Sequence, residues 1–143
     1  MNPAATLHVG CEILDPVLTV HGFVRRPIES GPGSGGPFAR TEYLRTDRRL
    51  ELHFRYSLGL VTYHLGGSAI SHDAYMRAVL GTRGANQYPG FSQDPLDGFR
   101  HLRHDLQQFC GEFLSGSEEA MAAVVATAVN QAQVRGFKAL SRS

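Results

Sequence analysis

The run Arg49–Gly66, RLELHFRYSLGLVTYHLG, decides how the rest of the chain is read. Leu50, Leu52, Phe54 and Tyr56 alternate with Glu51, His53 and Arg55; further on, Val61, Tyr63 and Leu65 alternate with Thr62 and His64. A period of two is the signature of a strand with one buried face, and two such halves in tandem read as a β-hairpin. Leu58-Gly59 serves as the turn, of type II with glycine at its third position. Tyr56 then faces Val61, Phe54 faces Tyr63, Leu52 faces Leu65, Arg55 faces Thr62 and His53 faces His64. A slip of one residue would turn every apolar side chain to the wrong surface, so the alternation fixes which residues share a face. The polar face carries Glu51, His53, Arg55, Thr62 and His64.

Working outward, Leu7, Cys11, Leu14, Val17 and Leu18 predict a helix over residues 4–21. Pro16 either ends it near Ile13 or bends it on to His21, with Gly22 as the C-cap. Phe23–Ile28 reads as a short strand, and residues 29–37, ESGPGSGGP, as a flexible loop. Gly31, Gly33 and Gly36 spell G-x-G-x-x-G, but Pro37 and a strand-like segment follow where a pyrophosphate site needs a helix N-terminus. Phe38–Arg45 reads as an edge strand and, after a Gly66-Gly67 turn, Ser68–Ile70 as a short last one. That makes three to five antiparallel strands in a meander.

Helical signals take over from Ser71. Ser71 caps a helix that ends at Gly81 and packs through Tyr75, Met76 and Val79. Gly81–Gln93 is a loop pinned by Tyr88 and Phe91. Asp94-Pro95 opens a helix to Leu114 whose apolar face is Leu96, Phe99, Leu102, Leu106, Phe109, Cys110 and Phe113. Ser117 caps a last helix buried through Met121, Val124, Val125, Ala128, Val129, Ala132 and Leu140, ahead of a disordered tail at 141–143. The expected architecture is a single α+β domain over residues 1–143: an N-terminal helix, the antiparallel meander, then three helices packed on one face of the sheet.

Composition narrows the function classes. Hydrophobic residues at 42% and charged residues at 19% place the chain among globular proteins. A net charge of +1 argues against a role defined by attraction to nucleic acid or membranes. Among the basic residues only Lys138 is not arginine, a bias that suits bidentate anion binding but also follows from GC-rich codons. Cys11 and Cys110 each fall on an apolar helical stripe and make no disulfide framework. The N-terminus lacks a basic segment followed by an apolar run, and no uninterrupted apolar stretch reaches the ~18 residues of a membrane span, so a cytoplasmic protein is expected.

Two clusters bear on chemistry. On the hairpin's polar face, His53, His64 and Glu51 are a set that binds metal or moves a proton, although a metal would lack a third local ligand and His72 arrives only through the tertiary fold. An ordinary solvated sheet face carries the same residue types. On the helix, His101 and His104 with Asp97 and Gln108 line the side opposite the apolar stripe; their spacing is shorter than the zincin pair and no glutamate lies between them. Ser57, Ser68, Ser71 and Ser92 lack a nucleophile-elbow context, Cys110 is expected buried and inert, and no paired carboxylates converge. Arg25, Arg26, Arg40, Arg45, Arg48, Arg49 and Arg55 make a basic first half without a named nucleic-acid motif.

The runs HFRYSLGLVTYHLG (53–66), ISHDAYM (70–76) and YPGFSQDPLDGFRHLRHDL (88–106) together resemble short bacterial α+β proteins without an active-site motif. Some comparable small domains act as immunity partners of toxins, covering a partner's surface. The resemblance implies a protein partner, a toxin among the candidates, and carries over no site residue. The expectation is a non-enzymatic intracellular binding module without a cofactor. Its surface is the polar hairpin face with the Gly31–Gly36 loop, and its partner is another protein or a second copy of the chain. Two rival expectations stand beside it: a small enzyme or metal protein using His53, His64 and Glu51, and a nucleic-acid binder using the arginine-rich first half.

Overall fold

The first helix, α1 (Pro3–Leu18), opens where Asn2 accepts a hydrogen bond from the Ala5 N–H at 2.8 Å, with proline just inside the start. The computed structural model describes residues 2–81 and 93–141, residues 136–141 by backbone alone. Of the two outcomes open at Pro16, the longer is found. The helix runs through the proline and closes in a 3-10 turn, Thr19–His21, terminated by Gly22 at φ +86°. The bond Pro16 cannot donate belongs to the carbonyl of Glu12, an exposed residue where water can take its place.

Among the described residues six antiparallel strands follow: β1 (Val24–Arg25), β2 (Glu29–Gly31), β3 (Phe38–Arg45), β4 (Arg48–Phe54), β5 (Leu58–Leu65) and β6 (Ser68–Ser71). From β3 to β6 they form consecutive hairpins, while β1 and β2 share the far edge of β3. The meander is therefore as expected, with two corrections. Residues 29–31, expected in the flexible loop, pair with β3 as β2, leaving 32–37 as the hairpin connection. β3 is an interior strand rather than an edge, its burial alternating through Ala39, Thr41 and Tyr43.

The central hairpin keeps its faces but not its partners. Leu50 lies opposite Tyr63, Leu52 opposite Val61, Glu51 opposite Thr62, Arg49 opposite His64 and His53 opposite Leu60. His53 and His64 are thus not opposed. The turn falls at Arg55–Ser57, closed by the Arg55 N–H to the Ser57 carbonyl at 3.2 Å, and not at Leu58-Gly59. A bulge after His53 absorbs Gly59. The cause is tertiary: Leu58 packs against Gly98, where an added Cβ would lie 3.1 Å from the Leu58 Cβ, so the second strand must start at Leu58. The partner of His64 moves from His53 to Arg49, an even number of positions, so each side chain of the two strands stays on its expected surface. Tyr56, expected on the apolar face, falls in the turn and is exposed.

The helices are α2 (His72–Leu80), α3 (Asp97–Phe109), α4 (Gly111–Leu114) and α5 (Glu118–Ser141). Ser71 caps α2 through the Ala74 N–H at 3.1 Å. The expected helix from Asp94 to Leu114 begins later and breaks at Cys110. In a continuous helix the Phe113 N–H would bond within the helix; here it donates to the Tyr75 hydroxyl at 3.1 Å. In α5, Met121, Val124, Val125 and Ala128 are buried, but Val129 and Ala132, expected in the same stripe, are exposed. The Leu140 side chain, residues 142–143, and the expected pins Tyr88 and Phe91 lie outside the described residues.

The buried apolar side chains form one cluster between the helices and one face of the sheet. α1 lies on β2 and β3, α2 on β5 and β6, and α5 on β6. The Tyr43 hydroxyl fastens α1 to the sheet by donating to Asp15 Oδ1 at 2.6 Å. α1 meets α3 at Gly10, where a Cβ would stand 2.4 Å from the Phe99 ring. Glycine to alanine inside a helix ordinarily stabilises; here we expect Gly10→Ala to cost about 1–3 kcal/mol, because the buried ring cannot retreat. Urea unfolding that found the variant as stable as the parent would contradict this close approach. Among the described residues no helix is long and apolar enough to cross a membrane.

Candidate functional site

With the helices on one face, the other face of the sheet displays Arg40 and Glu42 from β3, Arg49, Glu51 and His53 from β4, and Thr62 and His64 from β5. Glu42 and Glu51 are directly opposed, an arrangement that repels unless it is bridged. It is bridged several times. Arg40 reaches Glu51 at 3.1 Å and Glu29 at 2.8 Å, Arg49 reaches Glu42 at 3.0 Å, and His64 Nε2 meets Glu51 Oε1 at 2.8 Å. Partial burial pushes the Glu51 carboxyl up, but the hydrogen bonds from His64 and Arg40 outweigh it and hold the group below the ordinary carboxylate range. Two carboxylates do converge, contrary to the sequence reading, on an open face and each bound by arginine.

Of the expected face residues, Glu51 and His64 come together and Thr62 lies beside them, opposite Glu51. His53 stands apart, stacked on Phe38 with ring centroids 5.2 Å apart. Arg55 leaves the face altogether and lies under the glycine-rich loop, where a Cβ on Gly35 would fall 1.9 Å from its Nη1. The arginines of the first half are mostly engaged within the chain. Arg25, Arg26, Arg40, Arg48 and Arg49 pair with carboxylates, and Arg45 donates to the His21 and Leu114 carbonyls while its guanidinium lies over Phe23.

A second cluster forms where α2 meets α3. Asp105, 3% exposed, accepts from His72 Nε2 at 2.8 Å on Oδ2, and His101 Nε2 lies 3.0 Å from the same oxygen. His104 Nδ1 approaches Oδ1 at 3.3 Å. An ionised carboxylate only accepts, so His72 Nε2 carries the hydrogen of that bond, which in the neutral imidazole leaves Nδ1 as the acceptor. That atom lies 2.8 Å from the Tyr63 hydroxyl, which donates to it, and Cys110 Sγ completes the chain 3.7 Å from the same hydroxyl. Burial raises the Cys110 thiol to about 12, in keeping with the inert cysteine expected. A cleft of about 280 Å³ opens beside the cluster, with Leu58, Leu60 and Val61 on one wall and His72, Asp73 and His101 on the other.

The electrostatics of this cluster lead us to expect acid sensitivity. Burial disfavours the charged form of His101; Asp105 and Asp73 oppose that, His72 and His104 reinforce it, and its pKa falls below the ordinary 6.5. The unfolded chain then takes up the proton first, so stability is complete above about pH 6.5 and declines as pH drops toward the folded value. For Asp105, burial raises the carboxyl, but hydrogen bonding from His72 and the nearby imidazoles hold it below the usual range, adding a further loss below about pH 4. We expect the melting temperature to fall between about pH 7 and 5, and His101→Gln to flatten that fall. Equal slopes in the two proteins would place the sensitivity elsewhere.

The sequence reading set His101 and His104 on a solvated stripe and passed over Asp105. A signal was present: Asp105 lies among Leu102, Leu106 and Phe109 on the apolar stripe, a charge at a core position four residues from a histidine. Among the described residues, no group of three or more His, Cys, Asp and Glu side chains gathers in a way that would hold a metal ion. Compared with family models, curated proteins and solved structures, the chain matches none.

Proposed function

We propose that the protein is an intracellular binding module that docks another protein on the open face of its sheet. The observation that carries this reading is the bridged ladder Glu29–Arg40–Glu51–His64 with Glu42–Arg49. It is a set of charges already desolvated in part and held in register by rigid strands, flanked by Val24 at 69% and Leu60 at 65% exposure. Charges fixed before contact lose little freedom on docking and select a partner of complementary pattern. The buried, unpaired thiols of Cys11 and Cys110 suit a reducing compartment. Action by covering a partner also agrees with the resemblance to immunity-type domains.

Affinity capture from source cells, followed by titration of the purified partner, tests the reading. Arg49→Ala with Leu60→Asp should weaken binding by at least about tenfold. Unchanged affinity would remove the open face from consideration.

An acid–base enzyme remains a second reading, moved from His53, His64 and Glu51 to His101 and Asp105 because these border the cleft. Turnover in a hydrolase substrate panel that His101→Gln abolishes would favour it over docking.

A further inference from the structure

We propose that the cavity at the hairpin-loop end of the sheet binds a small organic anion, an apolar body bearing one carboxylate or phosphate, with Arg55 as the group that holds the charge. This goes beyond docking on the open face, which does not need Arg55. Among the described residues the Arg55 guanidinium has no carboxylate within 4.0 Å and donates no hydrogen bond, and its Nε is fully buried. The other arginines of the first half are each answered by a carboxylate or by carbonyls. A buried N–H without an acceptor is costly, Arg55 as a whole keeps part of its exposure, and a bound oxyanion would supply the missing acceptor.

Arg55 borders a cavity of about 570 Å³, within the range that encloses a small ligand. Its walls are mainly apolar: Pro3, Pro37, Phe54, Leu96 and the ring of Tyr56. Asp94 also lines it, but its carboxylate is held by Arg100 at 2.8 Å and by the Leu96 N–H at 2.9 Å. The N-terminal ends of α1 and α3 open on the same space, adding weak positive potential.

The glycine-rich loop fits this assignment. A Cβ would lie 1.9 Å from Arg55 Nη1 at Gly35, 3.3 Å from Nη2 at Gly33, and 2.8 Å from the Tyr56 hydroxyl at Gly36. Bare backbone is what lets the guanidinium and the phenol lie against the loop in a fixed position. Gly33 and Gly36 are also held at φ +50° and +109°, whereas Gly35 is not in the left-handed region. Gly35→Ala therefore displaces only the flexible end of Arg55 and leaves the loop's path intact.

Calorimetric titration of the full chain with benzoate, with phenyl phosphate and with neutral benzyl alcohol tests the assignment. At least one anion should bind with one-to-one stoichiometry, and the tighter of the two identifies the headgroup. Arg55→Gln and Gly35→Ala should each weaken it by about tenfold to a hundredfold, with no loss of melting temperature and with any benzyl alcohol binding unchanged. If neither anion binds at millimolar concentration, or if the folded variants bind as tightly as the parent, the assignment is overturned. Because neither substitution touches Arg49 or Leu60, failure here leaves the docking face standing, and the reverse also holds.

Discussion

Asp105→Ala is expected to lower stability by about 3 kcal/mol near neutral pH, among the largest effects of any single substitution in the chain. The carboxylate accepts from His72 of α2, approaches His104 Nδ1 at 3.3 Å and faces His101 of α3 at 3.0 Å. Hydrogen bonds to a charged group contribute about 1.5–3 kcal/mol each, and relief of the buried charge offsets part of the sum. With the acceptor gone, the His72 N–H is stranded between the sheet and α3, and the Tyr63–His72 bond loses the partner that sets its tautomer. Asp105→Asn retains one acceptor oxygen and should lose roughly half as much. Urea unfolding near neutral pH reads both; a loss below about 1 kcal/mol for the alanine variant would show that the cluster is ornamental to stability.

Arg48→Met is expected to cost a similar amount, about 3 kcal/mol, although methionine fills much of the same volume. Arg48, 5% exposed, grips Asp47 with Nε and Nη2 at 2.8 and 2.9 Å. Its Nη1 donates to the carbonyls of Glu112 and Phe113 at 2.9 and 3.0 Å. The planar fork thereby joins the start of β4 to α4, the short helix that follows the break at Cys110. Asp47 keeps part of its hydration when the arginine is lost, so the penalty stays toward the low end of that for a broken buried pair. Arg48→Lys should recover less than half, because a single ammonium cannot satisfy the carboxylate and both carbonyls together. Recovery of parental stability by lysine would mean that charge alone, not the fork, matters at this position.

The hairpin shows how far local pattern reaches. Alternation placed each residue of its two strands on the correct surface because side-chain direction depends only on the strand itself. It did not place the pairing, because the bulge at Gly59 answers to Leu58 packing on Gly98, a contact between segments distant in sequence. β2 was invisible for a related reason: Glu29, Ser30 and Gly31 have no apolar alternation and become a strand only by borrowing the edge of β3. The open face was legible as a set of residue types, while its bridging was not, since Glu42 and Arg40 enter from a neighbouring strand. The histidine cluster needed α2 and α3 brought together across the sheet, yet Asp105 on an apolar stripe was its readable trace.

Docking on the uncovered sheet face is tested most directly by photocrosslinking in the source cells. A benzophenone side chain is placed at Leu60, exposed on that face, or at Ala126, exposed on α5. We expect Leu60 to yield a discrete adduct with a second protein, lost when Arg49 is also replaced by alanine, and Ala126 to yield none. An adduct from Ala126 alone, or none from Leu60 at native expression, would contradict the account.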